Sequence, residues 1–222
     1  MRPRHLLTIA ALLLAGLVPA GAGAAPAAEP QAPASPSEIV AYRDSGEWAA
    51  DTADAIGRAR AQIERHTRRS SSGRPALVLD VDDTSLSSYD CLAAKGFDRA
   101  ASGACVSRAR MPAITETLAL YRFARERGVT VFFLTGRRQR QRAATTANLR
   151  RTGYTAGWRL AMRPNRERPG THSGFKARRR RAIEHQGFRI LANVGDQRSD
   201  LRGGHAMATF KLPNPMYLIA TA

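Results

Sequence analysis

Lysine is almost absent from this chain. Only Lys95, Lys176 and Lys211 stand among 35 basic residues, and arginine supplies the rest. Where arginine is the default cation, a lysine marks a position that can use a compact point charge, against the ordinary alternative of a solvated surface lysine. Acids are scarce as well, 18 against those 35 bases, so the formal charge is +17. Cysteine occurs twice, at Cys91 and Cys105, with no histidine or third cysteine near them in sequence, which disfavours a cysteine-built metal site. No internal repeat is visible. The one long apolar run, Leu6 to Val18, is too short to span a bilayer and breaks at Pro19.

That run follows Arg2 and Arg4 and precedes two small-residue cleavage sites, Ala20-Gly21-Ala22 and Ala22-Gly23-Ala24. Residues 1–25 therefore read as a secretory signal peptide. No cysteine lies near the cleavage site to carry a lipid, and no adjacent arginine pair suggests twin-arginine export. Loss of Arg2 and Arg4 lowers the formal charge from +17 to +15. Residues 26–37, rich in Ala and Pro, read as a disordered linker, and residues 38–222 as one domain with no transmembrane segment. Export means oxidising conditions, so Cys91 and Cys105 are expected to form a disulfide within a short insertion, with two free thiols as the alternative.

What is present is an apolar run that stops abruptly in acid. Ala76 to Leu79 reads as a buried strand, and Asp80-Val81-Asp82-Asp83-Thr84 follows at once. At a period of two, Asp80 and Asp82 share a side and Asp83 points away. Two carboxylates held together need either a proton or a cation between them, the requirement of a metal-assisted nucleophile with an acid/base neighbour. A strand end whose acids cap the next helix is the plain alternative.

Three more strand ends carry polar groups. Val129 to Leu134 ends in Thr135-Gly136-Arg137, where a hydroxyl and an unhindered amide entering a helix would cradle phosphate, or simply make a turn. Gly174-Phe175-Lys176 opens a basic helix expected over Lys176 to Gln186. Ile190 to Val194 ends in Gly195-Asp196-Gln197-Arg198-Ser199-Asp200, two acids four residues apart, which could equally cap a helix. Further helices are expected over Glu47 to His66, Pro112 to Arg127 and Gln139 to Arg151, with a short strand near Trp158 to Met162. The alternation implies an α/β fold: a three-layer, Rossmann-like parallel sheet with helices on both faces and a small cap insertion, about residues 88–111, after the first strand.

The four corners, in order Asp/Asp, Thr, Lys and Asp/Asp, resemble the haloacid dehalogenase superfamily of phosphohydrolases. Within it the chain resembles the secreted acid phosphatase group that includes plant vegetative storage proteins and bacterial surface acid phosphatases. Tyr42-Arg43-Asp44-Ser45-Gly46 with Trp48 and Asp51, Leu86-Ser87-Ser88-Tyr89, Gly195-Asp196-Gln197 and Phe210-Lys211-Leu212-Pro213-Asn214-Pro215 with Tyr217 carry that likeness over about residues 38 to 219. Asp83 and Arg198 depart from the group's usual Glu and Trp, and the stretch from Tyr89 to Pro112 is shorter and poorer in aromatics than in plant members.

The resemblance implies a secreted, Mg²⁺-dependent phosphomonoesterase acting on small phosphate esters. Asp80 would be the nucleophile and Asp82 the acid and base. Asp80, the Asp82 backbone carbonyl and Asp196 would ligate Mg²⁺, with Asp200 in support. Thr135, Gly136 and Lys176 would bind the phosphoryl group. The alternatives are a non-catalytic protein that stores or binds phosphate compounds, which the presence of Asp80 opposes, a phosphotransferase using the same intermediate, and a cationic polyanion-binding protein. Arg178 to Arg181 lacks interleaved aromatics, which favours a solvated helix face over specific polyanion recognition. His172 lies close to Lys176 in sequence and could approach substrate, but a surface position is expected by default.

Overall fold

The centre of the fold is β1 (Arg74–Leu79), a strand hydrogen-bonded on both sides. The computed structural model describes residues 33–68, 73–155, 157–166 and 172–219. The expected signal peptide lies outside them.

Before β1 come α1 (Pro36–Asp44) and α2 (Glu47–Thr67). After it come α3 (Tyr89–Ala93), a 3₁₀ turn (Arg99–Ala101), α4 (Ser102–Arg108) and α5 (Thr115–Glu126). The chain continues through β2 (Thr130–Arg138), α6 (Arg142–Arg151), β3 (Trp158–Arg163) and α7 (His172–His185). It closes with β4 (Phe188–Gly195), α8 (Arg198–Leu201) and β5 (Thr209–Lys211).

The five strands lie in the order β3-β2-β1-β4-β5, and every neighbouring pair is parallel. Both faces of the sheet are covered, so residues 76–79 of β1 and 131–134 of β2 are apolar without interruption. Leu77, Leu79, Val131 and Phe133 pack towards α2 and α5, beside Ile56, Ile63, Leu120 and Tyr121. Ala76, Val78, Phe132 and Leu134 face the other way, onto Phe175 and Ile183 of α7. This is the expected three-layer arrangement.

Register places the site. Leu79 stands level with Phe133 on one side and Val194 on the other. The carboxyl ends of β1, β2 and β4 therefore come out together. The chain leaves β1 for β2 and β3, then crosses back to β4. The β1/β4 boundary is a switch point, where helices diverge to opposite faces and leave a crevice.

A second, smaller core joins the cap to both ends of the chain. Ile39 of α1, Leu92 and Cys105 of the cap, and Met216 and Tyr217 of the tail pack together. The expected disulfide is present: Cys91 and Cys105 are bonded, with Cα atoms 5.9 Å apart, tying α3 to α4.

Several boundaries differ from the sequence reading. The fold starts before residue 38: Ser35 caps α1, and the Ala34 amide donates to the Pro215 carbonyl at 3.0 Å. Pro112 lies outside α5, because its carbonyl accepts from the Ser87 amide at 2.9 Å and holds the segment extended. Thr135 and Gly136 do not open a helix. β2 runs on to Arg138, where pairing resumes with Arg163 after a register shift. The helix over Lys176 begins four residues earlier, at His172, and β5 was not anticipated. Arg180, in the middle of the arginine run, is fully buried, whereas Arg178, Arg179 and Arg181 are exposed.

Candidate active site

Asp80 is the first residue past β1, and its amide donates to the Val194 carbonyl at 3.0 Å, continuing the ladder. The chain then turns tightly. The Ser85 and Leu86 amides return to the Val81 carbonyl, and the Ser85 hydroxyl donates to the Asp80 carbonyl at 2.6 Å. Asp83 takes a left-handed conformation with φ 51°, a region that Asp enters more readily than most residues. It points away from the cleft, as the alternation predicts, and accepts from the Ser88 amide, the Ser88 hydroxyl and the Tyr217 hydroxyl. Asp83 thus anchors the turn beneath the site.

Asp80, Asp196 and Asp200 converge, with carboxylate oxygens within 4.8 Å of one another. All three are buried, and so is Lys176. The Lys176 ammonium bridges Asp80 and Asp200. α7 delivers it across the β1/β4 crevice, and Phe175 beside it packs on the sheet. Asp196 is the first residue past β4. Its carboxylate accepts from Thr84 Oγ1 at 3.2 Å, Gln197 Nε2 at 2.8 Å and Asn214 Nδ2 at 2.7 Å. Asp200 also accepts from the Gln197 amide at 2.9 Å. A Cβ on Gly195 would collide with the Asp200 side chain, so glycine there allows α8 to fold back over the strand end.

Burial raises the Asp80 pKa well above its usual range, with Lys176 opposing and the other carboxylates adding to the rise. Asp196 is pushed up to about 7 by burial and then by the charges of Asp200 and Asp83. Burial works against the Lys176 cation, but Asp200 and Asp80 outweigh it and hold the ammonium above its ordinary value. Three carboxylates against one ammonium leave an excess of buried negative charge. A hard divalent cation with oxygen ligands fits that donor set.

Asp82 shares the cleft but not the cluster. Its carboxylate is clamped by Arg137, with Nε 3.1 and 3.0 Å from the two oxygens and Nη2 2.7 Å from Oδ1. Arg137 is buried and held in turn by Thr145 Oγ1 at 3.0 Å. Gly136 lines the cleft. Thr135 is fully buried at the strand end, and its hydroxyl accepts from the Arg137 amide at 3.1 Å. His172 is not a surface residue as expected: it is half-buried and lines the same cleft. The cleft, about 210 Å³, is closed on the cap side by Arg99, Ser102, Gly103 and Val106, and by Tyr217 and Ile219 of the tail.

Sequence reasoning singled out Asp80, Asp82, Thr135, Gly136, Lys176, Asp196 and Asp200; all but the fully buried Thr135 line one cleft. It gave no role to Arg137, although the residue stood in the quoted Thr-Gly-Arg. It also missed Asn214, whose side chain reaches Asp196 from a segment quoted only for its likeness.

A parallel α/β sheet with three buried carboxylates and a buried lysine at its switch point defines a class: an open α/β protein with an acidic, cation-ready cleft. The family model of the HAD superfamily, subfamily IIIB (acid phosphatase), matches residues 24–220, and the chain belongs to that family. It is 37% identical to acid phosphatase 1 of Solanum lycopersicum over 153 residues, 66% of this chain and 60% of that one. It is 34% identical to the stem 28 kDa glycoprotein of Glycine max over 155 residues, 66% of this chain and 61% of that one. Vegetative storage protein 1 of Arabidopsis thaliana is 32% identical over 148 residues, 64% of this chain and 54% of that one. The chain thus spans about 60% of the length of the first two relatives. Among solved structures, the class C acid phosphatase of Bacillus anthracis has the same fold, with a TM-score of 0.65 at 20% identity over 82% of this chain and 86% of that one.

Proposed function

We propose that this protein is an exported, Mg²⁺-dependent phosphomonoesterase that hydrolyses small phosphate esters through a phosphorylated Asp80. The observation that carries the reading is the buried convergence of Asp80, Asp196 and Asp200 on Lys176 beside Gly136. An anionic nucleophile cannot approach an anionic ester unless charge is offset, and this cluster is arranged to do so.

Asp80 attacks phosphorus, and the bond to the ester oxygen breaks as Asp82 gives that oxygen its proton. The alcohol leaves. Asp82, now ionised, takes a proton from water as the water oxygen attacks phosphorus, and the Asp80–phosphoryl bond breaks to release orthophosphate. Lys176, the Gly136 amide and Thr135 bind the phosphoryl oxygens. Asp80, the Asp82 backbone carbonyl and Asp196 would hold Mg²⁺. That ion, when bound, would neutralise charge on the nucleophile and phosphoryl group. Asp200 holds Lys176 in place. Residues 1–25 would direct export, and exposed Arg178, Arg179 and Arg181 offer a surface for nonspecific polyanion contact.

The test is turnover on nucleotides, sugar phosphates and aryl phosphates, with and without Mg²⁺, followed by acid-quenched single-turnover labelling. Asp80→Asn should abolish both turnover and labelling. Asp82→Asn should lose on the order of 10²–10⁴-fold on alkyl esters and less on activated aryl esters, which need little protonation of the leaving group. Labelling of the Asp80→Asn protein, or equal slowing of both ester types in Asp82→Asn, would sink the assignment.

A further inference from the structure

His172 has no part in the reaction above, yet its ring stands inside the cleft. It opens α7 one helical turn before Lys176, so both side chains lie on the same helix face, His172 nearer the helix start. The ring lies over Gly136. A Cβ at position 136 would stand 3.0 Å from His172 Nδ1, close enough that the ring would have to give by a few tenths of an ångström.

The other ring nitrogen is tied down. Nε2 lies 2.7 Å from Nη1 of Arg163, at the end of β3. Arg163 is only 2% exposed. A guanidinium has donors and no acceptor, so Nε2 must accept. A neutral ring in that contact carries its proton on Nδ1. Burial, and then the positive charges of Arg163, Lys176 and Arg99, push the His172 pKa down to about 4, so the ring is neutral at ordinary pH. Nδ1–H makes no hydrogen bond among the described residues. A fixed donor therefore sits beside the Cα of Gly136, the residue whose amide the proposed reaction assigns to phosphate.

We propose that His172 is a substrate-binding residue whose Nδ1–H donates to the phosphoryl oxygen lying over Gly136, and that Arg163 is the positioning residue that fixes this tautomer. The inference rests on the phosphatase reading for the identity of the ligand. It adds a neutral, directional donor to the point charge of Lys176. It also predicts that product orthophosphate is held by the same contact.

The probe is inorganic orthophosphate, measured both as a competitive inhibitor of turnover and by titration calorimetry, which needs no turnover. His172→Ala and His172→Gln should weaken orthophosphate by roughly ten- to a hundredfold, the range for one hydrogen bond to a charged acceptor. His172→Asn, whose amide nitrogen takes the place of Nδ1, should keep most of the affinity. Imidazole ¹⁵N spectra should show the Nδ1–H tautomer in the wild type and its loss in Arg163→Met. Equal orthophosphate affinity in all four proteins overturns the inference, as does rescue by Gln in place of Asn, or an Nε2–H tautomer in the wild type. If the wild type turns over no ester but still binds orthophosphate through His172, the phosphatase reading falls and the contact stands.

Discussion

Arg137 grips both carboxylate oxygens of Asp82, and it does so from the buried side of the cleft. Arg137 stays charged under this load: burial works against the cation, but Asp82 more than compensates. The clamp fixes where the Asp82 carboxylate sits relative to Asp80, two residues away. The acid and base of the proposed reaction must be aimed at its partners.

Arg137→Lys should therefore cost kcat more than KM. A lysine keeps the charge but cannot hold two oxygens at once. We expect about a tenfold loss of kcat on an alkyl phosphate and a smaller loss on an activated aryl phosphate. Steady-state kinetics on the two ester types checks this. An equal loss on both would mean that Arg137 serves packing alone.

Reducing the Cys91–Cys105 bridge, or replacing both cysteines by serine, should alter substrate range before it alters fold. The bridge closes a separation of 14 residues within the cap, away from the sheet. In the chain-entropy model such a loop is worth about 3 kcal/mol at most. The expected result is a modest fall in melting temperature with a clear change in relative rates across an ester panel. A collapse of the melting transition with unchanged substrate ratios would contradict it.

Arg180→Met should destabilise strongly, while Arg181→Met should not. Arg180 donates to the carbonyls of Asp200 at 2.6 Å and Gly204 at 2.8 Å, and also to Arg202, so it ties the loop after α8 to α7. Losing one charged donor to three carbonyls should cost on the order of 3 kcal/mol. The exposed Arg181 should stay within about 0.5 kcal/mol of wild type. Urea unfolding of the two variants separates them.

Acid should weaken the fold partly through His172. Its folded pKa, about 4, lies below the ordinary 6.5 of an unfolded histidine, so the unfolded chain binds the proton more tightly. Stability from this residue is present above pH 6.5 and is lost as pH falls towards 4. Between those limits the wild type should lose melting temperature faster than His172→Asn. Parallel slopes across that window would show that the ring does not carry the effect.

The strands and the acidic corners were legible because they obey local rules. Residues 76–79 and 131–134 are continuous apolar runs, and Asp80, Thr135 and, after Val194 of β4, the Gly195-Asp196 pair follow without a break. Parallel register then brought Asp80, Gly136 and Asp196 together with no further information. Lys176 stood out because lysine is rare here. The clamp of Arg137 on Asp82 was not legible: the partners are 55 residues apart, and arginine is too common in this chain to be noticed. The same abundance hid Arg180, which composition placed on a solvated face. β5 is three residues long and gives no periodic signal, and the nearness of His172 to Lys176 in sequence did not outweigh the default of a surface histidine.

The tail gives this cleft a schedule. The sheet is complete once Lys211 has joined β5, yet Asn214 has still to reach Asp196, Tyr217 to reach Asp83, and the Ile219 amide to reach Gln197 Oε1. Those three contacts come from residues that follow every strand of the sheet. A nascent polypeptide can hold the whole sheet and remain without a finished pocket. The pocket is thereby finished only after the sheet, and a clip just after β5 would open it while leaving the sheet intact.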